Sequence, residues 1–211
     1  SSAASDVYKR QVSSVAGVGT TVFAATDEHT YKNFKYRILD DNTAEICGYT
    51  GKNAVVTVPD SIDSKPVTSI GRTAFYSGKI KEVTIPNTVR SIKWWAFYGC
   101  ESLEKINLNF GLKTVGYGAF MNCKNLKSVS IPMSVTQICD DSFAVSCSTK
   151  KGVFDTYSKQ TISTQQYSTD SSFTLEGYSG TVAEKYCNDN SLNFVSSGNV
   201  IYGDVNNNGT V

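Results

Sequence analysis

The sequence predicts a strand-rich α/β solenoid, in which coils of about 23 residues stack on one another through short parallel strands. Two observations support this fold class: apolar residues that recur in phase, and apolar–polar alternation within each repeat. The 211 residues contain 20 Lys and Arg against 19 Asp and Glu, a net charge of +1. Nucleic acids and acidic membranes favour a basic excess, so the composition gives no support to either partner.

Four segments of the chain place an aliphatic residue five positions before a phenylalanine. The phenylalanines are Phe75, Phe97, Phe120 and Phe143. The aliphatic residues are Ile70, Ile92, Val115 and Ile138. Both series are spaced by 22, 23 and 23 residues. One such unit is too small to bury its own apolar face, whereas stacked units bury a continuous core, so the period predicts a solenoid.

A short stretch of alternating apolar and polar residues precedes each of these segments. The stretches read VTVP, VTIP, INLN and VSIP, and they begin at Val56, Val83, Ile106 and Val129. Alternation of this kind predicts a strand with one buried face. The A-F-x-x-C segment that follows predicts a compact turn, or one helical turn, that places the phenylalanine in the core. Paired strands of successive coils would lie ~4.8 Å apart.

Both ends of the stack carry sequences typical of caps. Residues 34–49 alternate around the turn sequence DDNT and predict a β-hairpin that covers the first coil. Residues 173–195 predict a strand, a turn and a helix, with Thr181 as N-cap and Glu184 at the capping-box spacing. Residues 148–172 keep the repeat poorly, and we interpret them as a degenerate coil or a long loop.

The first 25 residues differ from the rest. Residues 1–11 show no periodicity and are interpreted as a cloning or sequencing scar. Residues 12–25 are uncharged and resemble the end of a secretory signal peptide cleaved near Ala24 or Ala25, with a buried strand or helix as the alternative. No other segment approaches the ~20 apolar residues of a membrane span. The predicted divisions are 1–25, 26–53 (N-terminal cap), 54–150 (repeats), 151–197 (degenerate repeat and C-terminal cap) and 198–211 (linker and tail).

The repeats resemble those of BspA-like leucine-rich-repeat proteins, which occur in surface and secreted proteins of bacteria and some protists. The shared pattern is I-P, then V-x-x-I-G-x-x-A-F-x-x-C, then L, over roughly residues 54–150. The chain departs from it at four positions, which are Asn109 for Pro, Cys139 for Gly, Ser142 for Ala and Ser146 for Cys. The resemblance implies a non-catalytic, secreted or cell-surface bacterial module for protein binding or adhesion.

The last nine residues, GDVNNNGTV, resemble the start of a dockerin, which binds a cohesin on cellulosome-type scaffolds. Asp204, Asn206 and Asn208 fit positions 1, 3 and 5 of an EF-hand-type calcium loop. The carboxylate of position 12 would lie beyond Val211, so we expect tight calcium binding only from a complete dockerin and no other cofactor. A polar tail rich in Asn and Gly is the alternative.

The residue types that catalysis needs are not assembled in this sequence. His29 is the one histidine, in a polar segment, and it cannot supply a Ser-His-Asp or Cys-His arrangement on a rigid scaffold. Asp140 and Asp141 are adjacent, so their side chains diverge rather than form an acid–base pair. The sequence therefore predicts a protein that is not an enzyme.

The six cysteines are even in number, which in an exported chain suggests disulfides. However, Cys100 and Cys123 occupy the same position in successive coils, so their Cβ atoms would lie ~5 Å apart, beyond the ~3.8 Å of a disulfide. They are predicted to be buried thiols. A bridge between Cys139 and Cys147 stays open.

Two series of outward positions are candidates for partner binding. The strand series comprises Thr57, Thr84, Asn107 and Ser130, with Glu82, Lys105 and Ser128 beside it. The turn series comprises Arg72, Trp94, Tyr117 and Asp140, with Trp95 beside it. Stacked at ~5 Å, the turn series would form cation–π contacts and suit a protein hot spot or sugar stacking. The alternative is that these side chains only pack on one another or on the loop from residue 148. The candidate functions are a protein- or surface-binding module, a polysaccharide-binding accessory module and a structural spacer.

Overall fold

The structure, a computed structural model, describes residues 28–143, 146–155, 160–168 and 172–199. Short strands from successive coils pair with one another along the stack, and compact turns close each coil. In chain order the elements are β1 (His29–Tyr31), β2 (Phe34–Ile38), β3 (Ala44–Tyr49), β4 (Val55–Thr57), β5 (Ser61–Ile62), β6 (Lys65–Ile70), β7 (Glu82–Thr84), β8 (Ser91–Ile92), β9 (Lys105–Asn107), β10 (Thr114–Val115), β11 (Ser128–Ser130), β12 (Gln137–Ile138), β13 (Ser146–Asp155), β14 (Gln160–Ser168), β15 (Thr174–Ser179), α1 (Val182–Asn190) and β16 (Asn193–Asn199).

The larger sheet has the order β1-β2-β3-β6-β8-β10-β12, with β5 paired to β6. The first three strands are antiparallel, and every pairing from β3 to β12 is parallel. The aliphatic residues of the repeat are exact partners in this ladder: Ile70 with Ile92, Ile92 with Val115, and Val115 with Ile138. The predicted parallel solenoid is confirmed, and so is the predicted hairpin of residues 34–49.

The alternating stretches form the strands of the opposite face. Strands β4, β7 and β9 make one parallel sheet, and β11, β15 and β16 make another. The middle residue of each strand points inward: Val83 pairs with Val56 and Ile106, and all three are buried. Val129 pairs in the same way with Leu175, so the stack continues into the C-terminal cap.

The phenylalanines of the repeat form a stack through the core. The ring centroids of Phe75 and Phe97 lie 4.8 Å apart, those of Phe97 and Phe120 5.2 Å, and those of Phe120 and Phe143 5.3 Å. Each pair of ring planes lies within 9° of parallel. Rings this close gain contact and electrostatic stabilisation beyond the burial of their area. The spacing equals the distance between paired strands, so the stack and the ladder share one period.

Aromatic residues of the caps extend this stack at both ends. At the N-terminal end Tyr49 lies 5.5 Å from Phe75, and Phe34 lies 5.1 Å from Tyr49, measured between ring centroids. At the C-terminal end Phe173 stacks on Phe143 at 5.4 Å. We name the resulting series the aromatic stack; its members are Phe34, Tyr49, Phe75, Phe97, Phe120, Phe143 and Phe173. It joins the hairpin cap to the C-terminal cap.

The turns of successive coils are tied together by backbone hydrogen bonds from the same phenylalanines. The N–H of Phe75 donates to the carbonyl of Ala96 at 2.7 Å, and that of Phe97 donates to Ala119 at 2.8 Å. Each bond therefore runs from one coil to the next. The turn of a coil and its ring are fixed by the neighbouring coil, as expected for a solenoid.

The cysteines of the repeat are buried free thiols, as predicted. The thiol of Cys100 donates to the carbonyl of Phe75 at 2.9 Å, and that of Cys123 donates to Phe97 at 3.2 Å. Burial raises the pKa of Cys100 to about 12, which keeps it protonated and unreactive. Cys139 is also a free thiol, and the side chain of Cys147, its possible partner, lies outside the described residues.

The C-terminal cap departs from the predicted capping box. Helix α1 begins after Thr181 as expected, but the Thr181 hydroxyl makes no cap hydrogen bond and donates instead to the carbonyl of Tyr178 at 2.6 Å. Glu184 reaches back one residue further than expected and accepts from the N–H of Gly180 at 2.7 Å. Gly180 itself has a left-handed backbone conformation, with a φ of 82°. At this turn the Gly180 N–H lies within reach of Glu184, and the Tyr178 carbonyl lies within reach of Thr181.

Residues 148–172 also differ from the expectation of a degenerate coil or loop. Strands β13 and β14 form an antiparallel hairpin, paired from Ser146 with Ser168 to Asp155 with Gln160. The next coil begins only at Phe173, 30 residues after Phe143. The repeat is therefore interrupted by an inserted hairpin and resumes at its usual position in the stack.

A buried carboxylate fastens the hairpin cap to the second coil. The side chain of Glu45 in β3 is 1% exposed and accepts hydrogen bonds from Arg37 (2.5 Å), Lys93 and Ser69. Burial acts to raise the pKa of Glu45, but the donors Lys93 and Ser69 and the charge of Arg37 outweigh it. The pKa of Glu45 consequently lies below its ordinary value.

This cluster predicts how the stability of the protein depends on pH. A carboxyl group whose pKa is lowered by folding stabilises the folded state above its unfolded pKa, and that stability is lost as the pH falls through the folded pKa. Replacing Glu45 with Gln is expected to lower the free energy of unfolding at pH 7 by about 2 kcal/mol. Urea denaturation of both proteins should show this difference shrinking below about pH 4.

A matched control for this prediction is Glu104→Gln, because Glu104 is 57% exposed and, among the described residues, pairs only with the exposed Lys81. Its effect should stay within about 1 kcal/mol at every pH. A difference between wild type and Glu45→Gln that is the same at pH 3 and pH 7 would contradict the assigned role of Glu45.

Candidate binding surface

The turn series predicted from the sequence comes together on the surface of the first three coils. The guanidinium carbon of Arg72 lies 5.9 Å from the ring centroid of Trp94 and 4.9 Å from that of Trp95. Trp95 in turn meets the edge of Tyr117, with ring centroids 6.0 Å apart and planes at 72°. The expected cation–π contacts are present, and we name Arg72, Trp94, Trp95 and Tyr117 the aromatic patch.

The members of the aromatic patch differ in exposure. Trp94 is 54% exposed, and Arg72 is also exposed, whereas Trp95 and Tyr117 are half-buried. The alternative interpretation, in which these side chains only pack on one another, therefore explains the positions of Trp95 and Tyr117. It does not explain Trp94, whose ring is open to solvent. Asp140, the fourth member of the turn series, is exposed on the next coil.

Trp95 adopts a backbone conformation that large side chains rarely take. Its φ is 56°, in the left-handed region, and the equivalent residues Thr73, Gly118 and Asp141 have φ values of 56°, 56° and 52°. The geometry of the turn imposes this conformation on each coil. A bulky residue held there stores strain that the surrounding structure must offset.

Gly118 leaves the space that the Trp95 indole occupies. A Cβ atom at Gly118 would lie 2.6 Å from Cδ1 and 2.7 Å from Nε1 of Trp95, closer than real atoms approach. The third coil thus carries glycine at the position where the second coil carries tryptophan. The pairing fixes the indole against the third coil before any partner arrives.

A second pair of aromatic residues lies further along the same turns, and it was not among the predicted site residues. The rings of Tyr76 and Tyr98 stack at 5.4 Å with planes 5° apart, and Tyr76 is 54% exposed. Asn122 of the next coil donates to the Tyr98 hydroxyl at 3.1 Å. The signal in the sequence is the repeated A-F-Y, in which tyrosine twice follows the buried phenylalanine.

The predicted strand series forms a polar face whose members bind one another. The Asn107 amide donates to Glu82 at 2.9 Å and to the Thr84 hydroxyl at 3.2 Å, and Lys105 pairs with Glu82 at 3.0 Å. Ser130 donates to Glu176 at 2.5 Å. Since the side chains of Thr84 and Asn107 already form hydrogen bonds within this face, they are weaker candidates for partner binding than the aromatic patch.

The candidate calcium ligands Asp204, Asn206 and Asn208 lie outside the described residues, as does the signal-like segment 12–25. In the part of the chain that the structure describes, no three His, Cys, Asp or Glu side chains gather as a metal site would require. No helix in that part has the length and apolar character needed to cross a membrane.

Stacked coils, parallel strands and an aromatic stack between two caps define a solenoid repeat protein. The chain belongs to the BspA type leucine rich repeat region family, whose model matches six copies over residues 56–174. That family is generally non-catalytic. None of the curated proteins compared matches the chain significantly.

Several solved structures are similar to the chain. A leucine-rich repeat protein from Bacteroides capillosus is 31% identical with a TM-score of 0.52, and the match covers 54% of this chain and 88% of that one. The T. pallidum leucine rich repeat protein is 30% identical with a TM-score of 0.47, covering 55% of this chain and 66% of that one. A leucine rich cell surface protein from Faecalibacterium prausnitzii is 26% identical with a TM-score of 0.47, covering 73% and 46%.

The packing of Trp95 on Gly118 predicts that Gly118→Ala both destabilises the protein and moves the indole. A left-handed conformation costs a non-glycine residue about 1–2 kcal/mol, and the clash with Trp95 adds to this cost. Chemical denaturation and the tryptophan emission spectrum should both change.

Gly180→Ala is the matched control, because Gly180 also has a positive φ (82°) but nothing lies within 4 Å of its missing Cβ. It should show the conformational cost without a change in tryptophan emission. Equal destabilisation by the two variants, with unchanged spectra, would mean that Gly118 does not shape the aromatic patch.

Proposed function

We propose that the protein is an exported binding module that holds a protein partner on the aromatic patch. The observation that carries this proposal is the exposed Trp94 ring beside Arg72, on a turn where Trp95 is fixed by the next coil. Trp, Tyr and Arg are the residue types most enriched among interface hot spots. A solenoid suits such a role, because its core fixes the coils while outward positions vary.

The fixed geometry of the patch favours affinity. Binding costs free energy for each side chain that must be ordered, about 0.5–1.5 kcal/mol for a flexible one. Trp95 is already held against Gly118 and Tyr117, and Arg72 lies over both tryptophans. Trp94 is therefore the main side chain of the patch that would still have to be ordered when a partner binds.

The setting that we propose is extracellular, on or near a bacterial cell surface. The uncharged segment 12–25 supports export, and BspA-type proteins are often cell-surface proteins. The sequence GDVNNNG at 203–209 supports attachment through a dockerin to a cohesin-bearing scaffold, where calcium would be required. In this setting the partner would be a protein or other surface ligand, and binding would serve adhesion.

A polysaccharide ligand is the second candidate, favoured by the open face of Trp94. Flat aromatic rings at the surface also stack against sugars, and half of the Trp94 side chain is exposed. The two candidates differ in what else they need. A protein hot spot needs Arg72 as well as the rings, whereas sugar stacking depends mainly on the rings.

The proposal predicts that Trp94→Ala with Tyr117→Ala strongly weakens partner binding while the fold is retained. Immobilised extracellular proteins and a glycan array would be screened with wild-type protein, and each hit remeasured with the variant. We expect a protein hit whose affinity falls at least about tenfold, because hot-spot residues each contribute about 2 kcal/mol or more. Arg72→Ala should weaken the same hit.

Phe110→Ala is the control, since Phe110 is 59% exposed and lies outside the patch. It should bind every hit as wild type does. A protein hit that the double variant binds with full affinity would refute the proposal, and hits confined to glycans that depend on Trp94 would favour the second candidate.

A further inference from the structure

A cleft separates the hairpin cap from the first turn of the solenoid. Its volume is about 340 Å³, within the range of small-molecule sites. One wall is formed by β3 and the segment 50–53 that follows it, and the other by the turn from Thr73 to Ile80. Phe75 and Ile80 line the cleft from the core, and both are buried.

The charge of the cleft is predominantly positive. Lys35, Lys52 and Lys79 line it, against one carboxylate, Glu28, which lies 3.9 Å from the ammonium group of Lys35. Lys52 and Lys79 are exposed, and neither forms an ion pair with another described residue. The cleft is therefore lined by two lysines that have no ion-pair partner among the described residues, which favours an anionic ligand.

The cleft also has an aromatic face. Tyr76 borders it, and the ring of Tyr98 covers one side of Tyr76 at 5.4 Å. Thr50, which also lines the cleft, follows Tyr49 of the aromatic stack as Tyr76 follows Phe75, and it is not aromatic. Tyr76 is 54% exposed, so part of its side chain is open to a ligand in the cleft.

We propose that this cleft binds a carboxylated sugar, a uronic acid residue of an acidic polysaccharide. The C–H face of the pyranose ring would stack on Tyr76, and its carboxylate would pair with Lys52 and Lys79. Thr73 and Asn53 also line the cleft, and their hydroxyl and amide groups would bind sugar hydroxyls. This site uses none of the residues of the aromatic patch, so it can be tested independently of the function proposed above.

The combination of groups favours a sugar over an acidic peptide. Glutamate or aspartate side chains would satisfy the lysines but present no flat C–H face to Tyr76. A neutral sugar would stack on Tyr76 but leave both lysines unpaired. A uronic acid unit supplies both features within a volume that suits one or two sugar rings.

The test is isothermal titration of the full chain with a galacturonic acid trisaccharide. A neutral galactose trisaccharide and a triglutamate peptide serve as the comparison ligands. We expect the acidic trisaccharide to bind at least about tenfold more tightly than either, and its affinity to fall as salt is added. Replacing Lys52 and Lys79 together with Ala should weaken it about tenfold or more, as expected for charge-assisted hydrogen bonds.

Tyr76→Ala should weaken binding of the same trisaccharide about three- to tenfold, the range expected for an aromatic contact. Lys113→Ala and Phe110→Ala remove an exposed lysine and an exposed aromatic ring that do not line the cleft, and both should bind as wild type does. Circular dichroism and the denaturation midpoint of each variant show that the fold is retained.

The proposal is overturned if the acidic trisaccharide shows no heat of binding at millimolar concentration. It is equally overturned if the Lys52/Lys79 double variant binds unchanged, or if triglutamate binds as tightly and Tyr76→Ala has no effect on either ligand. The last result would show simple charge attraction rather than a sugar site.

Discussion

The face-to-face contact between phenylalanines of successive coils is the interaction on which the rest of the structure depends. Face-to-face contacts run from Phe75 to Phe173 in the C-terminal cap, and tilted ring contacts continue the series through Tyr49 to Phe34 in the hairpin cap. Phe75, Phe97 and Phe120 also donate their backbone N–H groups to the next coil, so ring stacking and hydrogen bonding reinforce each other. Even the repeat cysteines bind the carbonyls of this series, which leaves their thiols structural rather than reactive.

A core with a fixed period also imposes its spacing on the surface. Side chains at equivalent positions of neighbouring coils lie about 5 Å apart, the distance at which rings, cations and amides make contact. The Tyr76–Tyr98 pair and the Arg72–Trp94 contact arise in this way. Surface chemistry is therefore set by which residues fill equivalent outward positions, and the fold tolerates changes there because the core does not use them.

The sequence predicted the features that follow from periodicity and missed those that depend on local geometry. Residues that recur in phase, such as Ile92 and Val115, predict the register of the strands directly, because residues at equivalent positions of successive coils pair with each other. The inserted hairpin of β13 and β14 interrupts the period, so no repeat signal marks it. The hydrogen bond of Thr181 depends on the turn at Gly180, and the fit of Trp95 over Gly118 depends on a backbone angle. Neither appears in a pattern of apolar residues.

The central claim is that the aromatic stack makes the coils one cooperative unit, and native-state hydrogen exchange of Phe97→Ala tests it most directly. Phe97 is fully buried in the middle of the stack, and its removal is expected to cost about 3–5 kcal/mol through the cavity left behind. If the stack couples the coils, the amides of Phe75 and Phe120 should lose protection by the same amount, although they lie on opposite sides of the cavity. Full protection of either amide in the variant would show that the coils are stabilised separately.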